Sequence, residues 1–200
     1  MPYPQQAPLP ARPEPRRVLG LSANLFALIS CCIAWTSGRG SPRQRRLAAV
    51  LAVLEAGLVV DMAFSFRSLL HDLLEDEAIA KGLYAQRAGP QIAALCLLGA
   101  AAAAGMGVAF QRLRGRTGAI VAVCGAILSL SCWCAEVISL HTADTVFYYT
   151  VDGVMLVSLC WVACALMTGL GILWDARAAR AYAHWRGNSA GAPPSTLTDS

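Results

Sequence analysis

Charge is scarce in this chain. Only 14% of its 200 residues are Asp, Glu, Lys or Arg, against roughly 25% in a soluble domain. Lysine is almost absent, with Lys81 alone beside fifteen arginines, and abundant Ala with Arg in place of Lys fits a GC-rich bacterial source. Cysteine is missing from every loop: all eight (Cys31, Cys32, Cys96, Cys124, Cys132, Cys134, Cys160 and Cys164) lie inside apolar blocks. A disulfide framework needs cysteines in an oxidising aqueous compartment, so none is expected. A quinone-linked disulfide oxidoreductase is excluded on the same ground, and Cys132-Trp133-Cys134 is not a CxxC. These cysteines read as small packing residues. The chain has no Gly-rich phosphate loop, nucleophile elbow or HExxH. Its basic runs are too short for nucleic-acid binding. Enzymatic activity and a bound cofactor are therefore not expected.

What the chain has is apolar length. It is 56% hydrophobic with a mean hydropathy of +0.52, and its apolar residues come in blocks of the roughly 20 residues needed to cross a bilayer. The fold class implied is all-α: a polytopic transmembrane helical bundle filling residues 18–186. Spans are expected at 18–35, 47–66, 91–110, 118–140 and 153–174. The Pro-rich stretch 1–17 and the Gly/Pro/Ser/Thr-rich stretch 187–200 are expected to be disordered tails. Arg16-Arg17 and the run Leu28-Ile29-Ser30-Cys31 resemble export and lipoprotein signals. Cleavage there would reverse the charge pattern of every later loop, so a span is the better reading. The alternative is four spans, with the first helix lying in the interface.

Loop charge sets orientation, because Lys and Arg stay on the cytoplasmic side. The runs 36–46, 111–117 and 175–186 are basic, whereas 67–90 and 141–152 are acidic or lack basic residues. The expected location is the inner (plasma) membrane, with the N-terminus outside and the C-terminus cytoplasmic. Within 67–90, Leu69, Leu70, Leu73, Leu74 and Ala78 repeat at helical spacing among Asp72, Glu75, Asp76 and Glu77. That pattern predicts an amphipathic outer helix, and its acidic face favours packing on the protein over binding anionic lipid.

Small residues mark the helix contacts. Gly118, Ala122, Gly125, Ser129, Cys132, Glu136 and Ser139 form one stripe on the fourth span, and close backbone approach drives helix association in lipid. The stripe should turn Glu136 toward the bundle interior. Gly99, Ala103 and Gly107 form a similar ridge on the third span.

The polar residues within this apolar frame are the functional candidates. Glu55 lies near the middle of the second span and Asp61 almost two turns further on. A mid-bilayer carboxylate costs about 2.5–3.5 kcal/mol and is a functional candidate by default. One reading is a proton or cation relay through Glu55, Asp61 and Glu136. The other is a neutral carboxyl that hydrogen-bonds a neighbouring helix. On the outer side, His141 and Asp144 are three residues apart, and His71 adjoins Asp72. Histidine with carboxylates can hold a zinc-like ion, and a haem between His71 and His141 is a more distant reading. The plainer reading is a hydrogen bond between His141 and Asp144 where the helix leaves the membrane. Phe147, Tyr148 and Tyr149 fit an interfacial aromatic belt.

Gly82-x-Tyr84-x-x-Arg87-x-x-x-Gln91 before the third span, and Ser139-x-His141-x-x-Asp144 after the fourth, resemble a family of small multi-span bacterial inner-membrane proteins with no assigned activity. The resemblance covers residues 47–174, and Asp61 is similar to an acidic residue of that family. It implies that His141, Asp144, Arg87 and Asp61 form one outer-face cluster. The chain departs from the family pattern with Glu136 and Thr142, where Arg and a second His are common.

These readings lead to a structural or accessory membrane protein in which Arg87 pairs with Asp61, Asp144 or Glu136 to dock the outer helix. The alternatives are a small ion-coupled transporter using Glu55, and an outer-face metal or haem site at His141. Expected partners are the lipid bilayer and another membrane protein or a second copy of the chain.

Overall fold

The computed structural model describes residues 15–37, 41–138, 149–151 and 154–190. Among the described residues six helices occur in the order α1 (Pro15–Thr36), α2 (Pro42–Phe64), α3 (Phe66–Ala80), α4 (Ala88–Arg112), α5 (Thr117–Ile138) and α6 (Leu156–Ala190). A 3₁₀ turn at Tyr84–Gln86 precedes α4. A two-residue antiparallel ladder, β1 (Thr150–Val151) with β2 (Val154–Met155), precedes α6. Five helices, all but α3, are long and apolar enough to cross a membrane.

Local chemistry sets the boundaries. Helix α2 begins at Pro42, five residues before its apolar block, because Ser41 caps it: its hydroxyl accepts from the Gln44 N–H at 3.3 Å, and Pro stands in the first turn. Helix α1 begins at Pro15, inside the stretch expected to be disordered, and α6 runs through the basic segment to Ala190. Between α2 and α3 the chain turns at Ser65, a non-glycine residue with φ 57°. Helix α3 closes in a Schellman-type end at Gly82, φ 66°, where the Leu83 N–H reaches the Ala78 carbonyl at 2.9 Å.

Helices α1, α2, α5 and α6 form the bundle. Helix α1 is packed between α2 and α6, so the first block is a member of the bundle and not a helix set apart from it. Its antiparallel register with α2 follows from Asn24 Nδ2, which lies 3.5 Å from Met62 Sδ. The central core consists mainly of small side chains from all four helices: Cys31 and Ala34, Ala48 and Ala52, Ala122 and Ala126, and Ala176, with Leu51 and Ile172 filling the remaining space. Near the α3 end, Leu58, Met62, Val157 and Trp161 form a second cluster.

The stripe on α5 does what its spacing implies. A Cβ placed on Gly118 would lie 2.5 Å from the Asp175 backbone nitrogen, and one on Gly125 would lie 2.7 Å from the Cys164 carbonyl oxygen. Gly171 answers from α6, with Ala122 N at 2.5 Å. Two backbones therefore touch along the α5–α6 seam. The similar ridge on α4 has no such partner: nothing lies within 4 Å of a Cβ built on Gly99 or Gly107. Helix α4 packs chiefly on α5, and Ala109 is its one buried residue.

The leucine face of α3 corrects an expectation. No residue of α3 is buried, and Leu69 and Leu73 are more than 60% exposed. The helix is held by polar contacts at its N-terminal turns, and the bundle does not cover its apolar stripe. On its exposed side Lys81 donates to Glu77 at 2.6 Å, which holds the Glu77 carboxyl below its ordinary value. Any support from this pair is complete above the ordinary carboxyl range and fades as pH falls through the lowered value. Both groups are exposed, so Lys81→Ala should leave thermal unfolding in detergent unchanged while returning the Glu77 titration to its ordinary position.

Candidate functional site

The polar side chains gather at two ends of the bundle and at one point between. At the α3 end, Asp61 lies in the last turn of α2 and is 5% exposed. The left-handed turn at Ser65 folds α3 back, so that Asp61 Oδ1 accepts the Arg67 backbone N–H at 2.8 Å and caps the new helix. The same turn brings the Arg67 guanidinium over the bundle. Its Nη1 lies 3.2 Å from Glu136 Oε2, an ion pair that is misaligned for a hydrogen bond, and its Nε lies 3.9 Å from Asp61 Oδ2. Trp161 on α6 donates its indole N–H to Glu136 Oε1 at 2.6 Å. The guanidinium carbon sits 5.6 Å from the Trp161 ring centroid, within cation–π range. Four elements, α2, α3, α5 and α6, meet in this clasp of one cation and two carboxylates.

Beside the clasp is a groove. The last carbonyls of α5 have no partner within their own helix. Gln91 donates to the Ile138 carbonyl at 3.0 Å, and His71 Nδ1 lies 3.2 Å from the Val137 carbonyl. A carbonyl only accepts, so Nδ1 carries the proton. His71 Nε2 is 3.6 Å from Glu75, which is 3.8 Å from Arg87. The Arg87 guanidinium lies over Tyr84, 3.8 Å from the ring centroid. These residues, with Leu74, Pro90 and Ala94, line a cavity of about 490 Å³ between α3, α4 and α5.

The expected pairing of Arg87 with Asp61 or Glu136 is thus replaced. Arg67 takes both carboxylates, because it opens α3 directly above Asp61, whereas Arg87 stands beyond the end of α3 and reaches Glu75. His71 and Arg87 share the groove, and Asp61 and Glu136 share the clasp next to it. His141 and Asp144 lie outside the described residues, as does the pairing of Arg87 with Asp144. Among the described residues, no three His, Cys, Asp or Glu side chains converge in a way that could hold a metal ion.

Glu55 stands apart, fully buried in α2. Cys31 of α1 and Cys164 and Thr168 of α6 are neighbours. The Thr168 hydroxyl donates to the Cys164 carbonyl at 3.1 Å, and neither Glu55 oxygen has an aligned hydrogen bond.

A second clasp closes the opposite, basic end. Asp175 on α6 accepts two bonds from Arg116, Nε to Oδ1 at 3.1 Å and Nη2 to Oδ2 at 2.6 Å, and a third from Gln44 Nε2 at 2.9 Å. Asp175 is 5% exposed. In the sequence Asp175 stands at the head of a basic run, where a lone acid among arginines is the only signal it gives. Arg116→Leu should cost about 2 kcal/mol, the loss of hydrogen bonds to a charged acceptor. Gln44→Leu should cost less, and thermal unfolding in detergent would rank the two. No family model, curated protein or solved structure matches this chain.

Proposed function

We propose that this chain is a non-enzymatic accessory protein of the bacterial inner membrane, with its C-terminus cytoplasmic and α3 on the outer face. The basic runs favour that orientation. The observation that carries the reading is the Arg67 clasp. Its cation is committed to Asp61, Glu136 and Trp161 of its own chain, an arrangement that fixes helices relative to one another. The clasp and the carbonyl caps from His71 and Gln91 tie α3 and the start of α4 to the bundle as one outer surface. The working part is that surface.

The second reading, a small ion-coupled protein, is favoured by Glu55, whose carboxyl is buried with no aligned hydrogen bond. Complementation separates the two. A strain lacking the protein is supplied with Glu55→Gln or with Arg67→Gln, each adjusted to wild-type abundance in the membrane. The accessory reading expects Glu55→Gln to restore the deletion phenotype and Arg67→Gln to fail. Restoration by Arg67→Gln with failure of Glu55→Gln would move the function to the bundle centre.

A further inference from the structure

The basic end holds the larger cavity, about 1060 Å³, between the start of α2, the α4–α5 turn and α6. Four arginines from two separate segments line it: Arg43, Arg112, Arg114 and Arg116. Arg116 is committed to Asp175. The other three are exposed and make no ion pair among the described residues. Positive loop charge alone does not require that arrangement, since topology is satisfied by arginines pointing anywhere on that side. Here the α4–α5 turn, tightened at Gly115 with φ 82°, places Arg112 and Arg114 across a concavity from Arg43. On the α6 wall, Trp174 and Tyr182 are each more than half exposed, the aromatic signature of the headgroup level. The cleft lies where α4 ends and α5 begins, at the margin of the apolar spans.

We infer that this cleft binds the headgroup of an anionic lipid carrying two phosphates. Three uncommitted guanidiniums are enough to neutralise both charges of a dianionic headgroup, more than a single phosphate needs, and arginine forks bind phosphate oxygens in pairs. Basic pockets at helix ends are suited to such lipids. Trp174 and Tyr182 border the acyl region, which a water-soluble phosphate would leave unused.

The test uses the full chain in phosphatidylcholine nanodiscs doped with cardiolipin, which carries two phosphates, or with phosphatidylglycerol, which carries one. Retained lipid is counted by native mass spectrometry. Cardiolipin is expected to be retained over phosphatidylglycerol, and Arg43→Gln and Arg114→Gln are each expected to weaken it about fivefold, the effect of one basic residue near an anionic surface. Arg46→Gln is the control. It removes a charge from the same end but lies outside the cleft, on a separate shallow hollow with Trp35. It should change retention less than twofold. Equal losses for all three variants would mean diffuse surface attraction and overturn the site. So would equal retention of the two lipids, or displacement of cardiolipin by millimolar inorganic pyrophosphate, which would point to a soluble anion.

Discussion

Arg67→Met should destabilise the bundle by about 3 kcal/mol or more, because it leaves Asp61 and Glu136 buried without their cation. Asp61 is 5% exposed, and Glu136 has only 10% of its side chain exposed, so water replaces little of what the guanidinium supplied. The loss should be greater than the sum of the contacts seen, since two buried carboxylates then share one site with no cation between them to offset their charge. Adding Asp61→Asn and Glu136→Gln to Arg67→Met should recover most of it. The orphaned charges are then gone, and neutral amides of similar shape occupy their places. Reversible unfolding in mixed micelles would measure both. If the triple variant were no more stable than Arg67→Met, the cost would lie in lost packing of the arginine stem and not in charge.

The second large effect is expected at the α5–α6 seam. Leucine at Gly118, Gly125 or Gly171 should prevent the two helices from closing. The first added carbon already meets backbone atoms of the opposite helix at 2.5, 2.7 and 2.5 Å respectively. Backbone cannot move aside as a flexible side chain can, so each substitution should exceed the roughly 1–3 kcal/mol of ordinary overpacking. Gly99→Leu and Gly107→Leu on α4 serve as controls. A Cβ there meets nothing within 4 Å, and both variants should unfold within about 0.5 kcal/mol of wild type. Folded yield and thermal unfolding in detergent would read all five. A comparable loss at Gly99 would show that the α4 ridge is packed against something in the folded protein.

That contrast shows how far the sequence could be read. The small-residue stripes on α4 and α5 both repeat at helical spacing, and nothing in either helix alone says which one has a partner. The five apolar helices were legible because length and hydropathy are local properties. The inward face of Glu136 was legible because it extends the α5 stripe. The partner of Glu136 was not. Arg67 and Arg87 stand in the same polar segment, and the choice between them depends on one backbone turn: at Ser65, φ 57°, the chain reverses and sets Arg67 over Asp61. A serine does not announce a left-handed turn as glycine would. Asp175 was hidden for a related reason. Its partners Gln44 and Arg116 come from two distant segments, and only the closed bundle brings them together. The leucines of α3 misled because helical spacing shows that an apolar face exists without showing what covers it.

The clasp is most directly tested by amide hydrogen exchange over residues 66–87 in nanodiscs, comparing wild type with Arg67→Gln. If Arg67 holds α3 to the bundle, exchange across α3 and the Tyr84 turn should accelerate by about a hundredfold, the roughly 3 kcal/mol removed from a local opening. Amides in the middle of α5 and α6, which open only with the whole bundle, should stay well above residues 66–87 in protection, lower than in wild type only by what the bundle as a whole loses. Unchanged exchange over 66–87 would contradict the clasp. It would leave the His71 and Gln91 caps on α5 as what holds that surface in place.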